Sequence, residues 1–96
     1  MTVLENRHIE DCFDGSIIKE FLLDKPMTEP FIRHLGTLGV FQYFPSFARP
    51  FFTVISENQF KIKGVEGNDN LRIIFYENNR DTLNEFVCTH IGNYID

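Results

Sequence analysis

Two histidines and two cysteines in this sequence could together form a metal-ligand set. His8 and Cys12 lie near the N-terminus, and Cys88 and His90 lie near the C-terminus. Two thiolates and two imidazoles are a common ligand set for zinc. The last predicted helix carries both Cys88 and His90, however, and residues two apart on an α-helix point about 200° apart. One ion cannot bind both of them, so we expect no metal site unless this helix ends before Cys88.

Acid–base or nucleophilic chemistry would require His34 or His90 together with Asp11, Cys12 or Asp14. The negative charges of Asp11 and Asp14 disfavour the reactive thiolate form of Cys12, which lies between them in the sequence. The sequence also lacks C-x-x-C, H-E-x-x-H, G-x-S-x-G, Walker A and G-x-G-x-x-G motifs. We therefore predict a non-enzyme with no catalytic residue and no cofactor.

Acidic and amide side chains near residue 68 are a weaker candidate for cation binding. Glu66, Asn68, Asp69 and Asn70 carry oxygen atoms of the kind that Ca²⁺ prefers, but the stretch lacks the loop length and terminal glutamate of an EF-hand. Asn, Asp and Gly are also the residues that turns require. We predict a turn here.

Aromatic residues are concentrated in the middle of the chain. Phe accounts for 11 of the 96 residues, and there is no Trp. Residues 40–52, VFQYFPSFARPFF, place aromatic side chains around Pro45 and Pro50, where no single strand face can bury them all. Arg49 lies among them, and arginine with aromatic residues is typical of interface hot spots. We predict an interaction surface formed by Phe44, Phe47, Arg49, Phe51, Ile74 and Tyr76.

Strands are indicated by alternating or β-branched stretches bounded by turn residues. The clearest are residues 59–65 and 71–76; in the first, Lys61 and Lys63 give the strand one solvated face. The others are an edge strand at 2–9 and strands at 16–23, 40–44 and 51–56. Asp14-Gly15 predicts a two-residue hairpin turn, and Asn78-Asn79 ends the last strand. We assign to the core Phe41, Phe52, Phe60 and Phe75.

Two amphipathic helices are predicted. Thr28 is a candidate N-cap for the first, followed by Glu29 and Pro30 in the first turn, and Gly39 stops this helix. Its apolar stripe contains Phe31, Leu35 and Leu38. For the second helix, Thr82 and Glu85 have the spacing of a capping box. The apolar stripe of the second helix contains Leu83, Phe86, Val87, Ile91 and Tyr94.

The order of elements is therefore (β)-β-α-β-β-β-β-α, with room for one domain over residues 1–96. Strands joined by short turns pair antiparallel, and both helices must bury their apolar stripes on one face. We predict an α+β fold with a single-layer antiparallel sheet of four to six strands and two helices on one face. This order is similar to the TATA-binding-protein-like layout of a strand, a helix, four strands and a helix. A ferredoxin-like fold is the alternative if one of the middle strands is a loop.

Charge and hydropathy limit the class of partner. The chain has 9 basic and 14 acidic side chains, a net charge of −5, which argues against a nucleic-acid binder because basic side chains supply most of that affinity. The exception is residues 31–65, where Arg33, Arg49, Lys61 and Lys63 oppose Glu57 alone. No apolar run is long enough for a membrane span, and the charged N-terminus has no signal-peptide pattern. We expect a small soluble cytoplasmic domain with free thiols.

These observations favour two function hypotheses over a small enzyme that uses His34 or His90 and over nucleic-acid binding by Arg49, Lys61 and Lys63. Aromatic surface without accompanying reactive groups indicates a non-catalytic module that binds a protein partner or forms a homo-oligomer. The alternative is a small apolar-ligand-binding domain, with a Phe-lined pocket between the sheet and the C-terminal helix.

Overall fold

A computed structural model describes residues 1–76 and 80–95 of the chain. Within them lie six strands and two helices in the order β-β-α-β-β-β-β-α, which confirms the predicted α+β fold. The elements are β1 (Val3–Asp11), β2 (Ile17–Leu23), α1 (Glu29–Gly36), β3 (Val40–Phe44), β4 (Phe51–Ser56), β5 (Phe60–Val65), β6 (Asn70–Phe75) and α2 (Arg80–Gly92). Neither of these helices is both long and apolar enough to cross a membrane.

The strands form one open antiparallel sheet in the order β1-β2-β6-β5-β4-β3. From β2 the chain passes through α1 to β3 at the far edge and returns strand by strand until β6 pairs with β2. Each of the middle stretches is a strand, so the ferredoxin-like alternative, which required one of them to be a loop, is wrong. The edges of the sheet are β1 and β3.

Alternate residues of each strand point to opposite faces, and both helices pack on the same face. Helix α1 contacts β3 and β4, and α2 contacts β1 and β6. Of the predicted core phenylalanines, Phe52, Phe60 and Phe75 are fully buried, and Phe41 is half-buried against the core. The strands also contribute to this core Ile17, Phe21, Leu23, Val54, Ile62, Leu71 and Ile73, and the helices contribute Phe31, Ile32, Leu35, Val87 and Ile91.

Helix α1 begins where it was predicted to begin but ends earlier. Thr28 is at the N-cap position, but its side chain makes no capping hydrogen bond. The helix ends at Gly36 rather than at Gly39, because the backbone N–H and hydroxyl of Thr37 both donate to the carbonyl oxygen of His34, at 3.3 and 2.7 Å. Gly39 serves close packing instead, since a Cβ at this residue would lie 2.3 Å from the carbonyl oxygen of Ile55.

Helix α2 begins at Arg80, so Thr82 and Glu85 lie within the helix and the predicted capping box is wrong. Of its predicted stripe, Val87 and Ile91 are buried, whereas Phe86 is 52% exposed. The two-residue turn predicted at Asp14-Gly15 is also wrong, because the connection between β1 and β2 runs from residue 12 to residue 16. Asn78 and Asn79, predicted to end the last strand, lie outside the described residues.

Substituting Gly39→Ala tests the contact between the α1–β3 connection and β4. Because the new Cβ would be closer to the Ile55 oxygen than Cβ atoms normally come, the backbone must shift. We expect the free energy of unfolding in urea to fall by roughly 1–3 kcal/mol, as for other overpacked sites. Gly92→Ala is the control, since its Cβ meets nothing within 4 Å at the end of α2. Equal losses in the two variants would contradict this account.

Candidate interaction surface

Neither helix covers the second face of the sheet, which we call the open face. A charged row crosses its middle, because the strand registers place one residue from each strand side by side. In spatial order from β1 to β3, the row contains Arg7, Glu20, Arg72, Lys63, Thr53 and Gln42. The Glu20 carboxylate, whose side chain is 16% exposed, lies 3.6 Å from the Arg7 guanidinium and 3.7 Å from that of Arg72.

Positive charge exceeds negative charge at the centre of the open face. Lys61 lies on the same face, one row beyond Lys63, and neither lysine forms an ion pair with a described residue. Glu20 is shared between two arginines, of which Arg7 also lies 3.4 Å from Glu5, while both lysines remain available to an external carboxylate. A shallow depression of about 620 Å³ opens here, lined among others by Phe51, Lys61, Lys63, Asn70 and Arg72.

Three of the predicted surface residues form a cluster on one side of the charged row. Phe44 and Phe51 face each other across β3 and β4, with ring centroids 4.6 Å apart. Phe47, from the connection between these strands, packs on Phe51 at 5.1 Å and is 56% exposed. We call Phe44, Phe47 and Phe51 the aromatic cluster.

The structure places Ile74 and Tyr76 on the other side of the charged row. Ile74 lies on the open face between Ile18 and Lys61, and Tyr76 follows β6 and lines a second depression together with Ile55. The six predicted residues therefore share one side of the sheet but do not form one continuous apolar patch. Arg72 and Lys63 lie between the two groups.

Sequence reasoning did not include the central charged residues in the surface. The alternation of Lys61 and Lys63 with the buried Phe60 and Ile62 could have placed both lysines on the open face. Arg72 likewise lies next to the buried Ile73 in β6. What the pattern could not indicate is that all three lie close together, since this depends on the pairing of β5 with β6.

Arg49 anchors the aromatic cluster rather than extending it. Its guanidinium donates to Oδ1 of Asn68 at 2.5 Å, and the N–H of Glu66 donates to the carbonyl oxygen of Pro50 at 2.8 Å. Residues 66–69 form the connection between β5 and β6, where a turn was predicted, and Gly67 adopts a φ of 90° there. The β3–β4 connection is thus held against the β5–β6 connection.

Tyr43 joins the same region to α1. Its hydroxyl donates to the Glu66 carboxylate and also lies 3.4 Å from that of Glu29. The Arg33 guanidinium lies 5.7 Å from the centre of the Tyr43 ring and 3.3 Å from Glu29. The hydrogen bond with Glu66, with further contributions from desolvation and the nearby carboxylates, raises the pKa of Tyr43 to about 12.

The two candidate catalytic histidines form a structural pair. The rings of His34 and His90 stack with centroids 4.0 Å apart, and Nε2 of each lies 2.8 Å from the backbone carbonyl oxygen of the other. Because a carbonyl oxygen only accepts hydrogen bonds, both Nε2 atoms act as donors. The pair ties the C-terminal end of α1 to that of α2. No bond within the described residues joins it to Asp11, Cys12 or Asp14.

The four candidate zinc ligands do not come together. Helix α2 continues past both Cys88 and His90 to Gly92, so they point in different directions. The Cys88 sulfur lies 4.0 Å from Nδ2 of Asn6, and burial raises the pKa of its thiol, whereas His90 contacts His34. Across residues 1–76 and 80–95, no three His, Cys, Asp or Glu side chains form a group that could hold a metal ion.

In comparisons with known proteins, no protein-family model, no curated sequence and no solved structure matches this chain. The fold and the exposed surface therefore provide the description of this protein. This is an α+β domain whose sheet is covered by helices on one face and presents aromatic and basic side chains on the other.

The raised pKa of Tyr43 predicts a pH-dependent contribution to stability. Because this pKa is about 12 in the folded protein and 10.0 without these contacts, the contribution is complete below pH 10.0 and is lost as the pH rises through about 12. We expect the melting temperature of the wild type to fall relative to that of Tyr43→Phe as the pH rises over this range. Thermal denaturation of both proteins at matched pH measures it. A difference that is independent of pH would contradict the role assigned to the Tyr43–Glu66 hydrogen bond.

Proposed function

We propose that the protein is a non-catalytic interaction module that docks an acidic, partly apolar segment of a protein partner on its open face. The observation that carries this proposal is the aromatic cluster. Phe44, Phe47 and Phe51 contact one another on a face that neither helix covers, and Phe47 is more than half exposed. Solvent-exposed aromatic rings in mutual contact are typical of protein-binding surfaces.

Contacts within the chain hold the aromatic cluster in place. Phe44 and Phe51 are carried by neighbouring strands, and the connection that carries Phe47 is fixed to the β5–β6 connection through Arg49 and Asn68. Binding therefore requires little ordering of side chains or backbone. Preorganisation of this kind leaves more of the contact energy available for affinity.

Charge determines which kind of partner fits. Lys61, Lys63 and Arg72 lie beside the aromatic cluster in a protein whose net charge is −5. If two open faces met, these like charges would oppose one another. A partner with carboxylates next to apolar side chains would neutralise them, and the attraction would accelerate association at low salt.

No observation favours the alternative of an apolar ligand between the sheet and α2. The buried side chains of Ile17, Phe75, Val87 and Ile91 belong to the core cluster formed between these layers. Both depressions described above include open-face residues in their lining, and neither is lined by a described residue of α2. The apolar-ligand hypothesis therefore stays a prediction from the sequence.

A pair of synthetic peptides tests the proposal. One alternates Glu with Leu and Phe, and the other has Lys at every Glu position and is otherwise identical. We expect the acidic peptide to shift the backbone NMR signals of Phe51, Lys61, Lys63 and Arg72 in a saturable titration. The basic peptide should shift them at least about tenfold more weakly, because it meets like charges.

The double variant Lys61→Glu/Lys63→Glu should lose the response to the acidic peptide. Lys25→Glu is the control for charge reversal, because it makes the same type of substitution once, in the exposed β2–α1 connection and away from the open face. No saturable shift with the acidic peptide, or equal shifts with both, would contradict the proposal. A tighter response to a single-stranded oligonucleotide would instead point to nucleic acid as the partner.

A further inference from the structure

We propose that the free edge of β3 pairs antiparallel with β3 of a second copy of this chain and joins the two sheets into one. This inference goes beyond the proposed function, because it uses an edge of the sheet rather than the open face. It rests on the contrast between the two edge strands and on the sequence of β3 itself.

The edge strand β1 is protected against pairing. Its pairing with β2 is interrupted by register shifts between Val3 and Glu5 and between His8 and Glu10. It also carries charged side chains along its length: Glu5, Arg7, Glu10 and Asp11. Bulges and charges of this kind are the usual means by which proteins prevent edge-to-edge association.

The edge strand β3 has neither form of protection. Its sequence is VFQYF, which has no charged residue and no proline, and its register with β4 is regular from Val40 to Phe44. An antiparallel strand with one neighbour has outward-facing N–H and C=O groups. Among the described residues, no backbone hydrogen bond of β3 is found other than those with β4. Aromatic and β-branched residues also favour extension of a sheet.

The strand is complementary to a second copy of itself. If the two-fold axis of the dimer passes through Gln42, each of the five residues of β3 lies opposite a residue of the second copy. Val40 then lies opposite Phe44 of the second copy, and Phe41 lies opposite its Tyr43. Aromatic–aromatic and aromatic–β-branched pairs are among the favourable cross-strand pairs. This register also keeps the helix-covered faces of both copies on the same side, so the core-facing rows continue from one sheet into the next.

Charge permits this contact. The charged groups that contact Tyr43 of β3 are already engaged on the helix-covered side. Arg33 is 3.3 Å from Glu29, and Glu66 accepts the hydrogen bond of the Tyr43 hydroxyl. Pairing through β3 therefore opposes uncharged side chains along the strand, whereas contact between two open faces would oppose Lys61, Lys63 and Arg72.

Charge reversal at Gln42 tests the inference on the full chain. Sedimentation analysis over a dilution series should show a monomer–dimer equilibrium for the wild type. Gln42→Lys and Gln42→Glu should each raise the dissociation constant about tenfold or more, since each places like charges opposite each other at the axis. A one-to-one mixture of the two variants should restore the dimer, because Lys then lies opposite Glu. Thr89→Lys, an exposed substitution on α2, is the control and should dimerise as the wild type does.

Hydrogen exchange gives a second measurement, with protection of β3 amides expected to rise with protein concentration. A wild type that is monomeric at millimolar concentration, a mixture that fails to dimerise, or protection that rises at β1 instead would each overturn the inference. The double variant Lys61→Glu/Lys63→Glu should lose peptide docking and still dimerise. Failure of the docking proposal and failure of β3 pairing are therefore distinguishable.

Discussion

The structure depends on one constraint, which is that two short helices cover only one face of a six-stranded sheet. Because side chains alternate along a strand, neighbours in the sequence meet opposite surroundings. Phe52 and Ile73 are fully buried beneath the helices, whereas Phe51 and Ile74 are part of the open face. The same alternation that builds the core therefore also determines which residues are presented to a partner.

The open face combines two apolar groups with a basic centre. Glu20 compensates part of the positive charge between Arg7 and Arg72, and the lysines of β5 extend that charge toward the aromatic cluster. The two edges of the sheet also differ from each other. Strand β1 carries charged side chains and pairs irregularly with β2, whereas β3 is uncharged and pairs regularly with β4. Face and edge thus suit different partners: an acidic segment on the face and a second copy at the edge.

Local sequence patterns predicted most elements, because a period of two and a helical stripe can be recognised within a few residues. They did not predict contacts between distant segments. Glycine after an apolar stripe usually ends a helix. At Gly39, however, glycine is required because a Cβ would collide with the carbonyl oxygen of Ile55. In the same way, the separation of Ile74 from the aromatic cluster depends on how β4, β5 and β6 align, and no single stretch of sequence contains that alignment.

The central claim is that the aromatic cluster faces solvent in the single chain while the core phenylalanines Phe52, Phe60 and Phe75 do not. Relaxation of aromatic protons by a neutral, soluble paramagnetic probe, measured by NMR in dilute solution, tests this directly. The account predicts strong relaxation for Phe47, with Phe44 and Phe51 also relaxed, and little effect on Phe52, Phe60 and Phe75. Equal protection of all these rings would show that the open face is covered within the chain and would contradict the account.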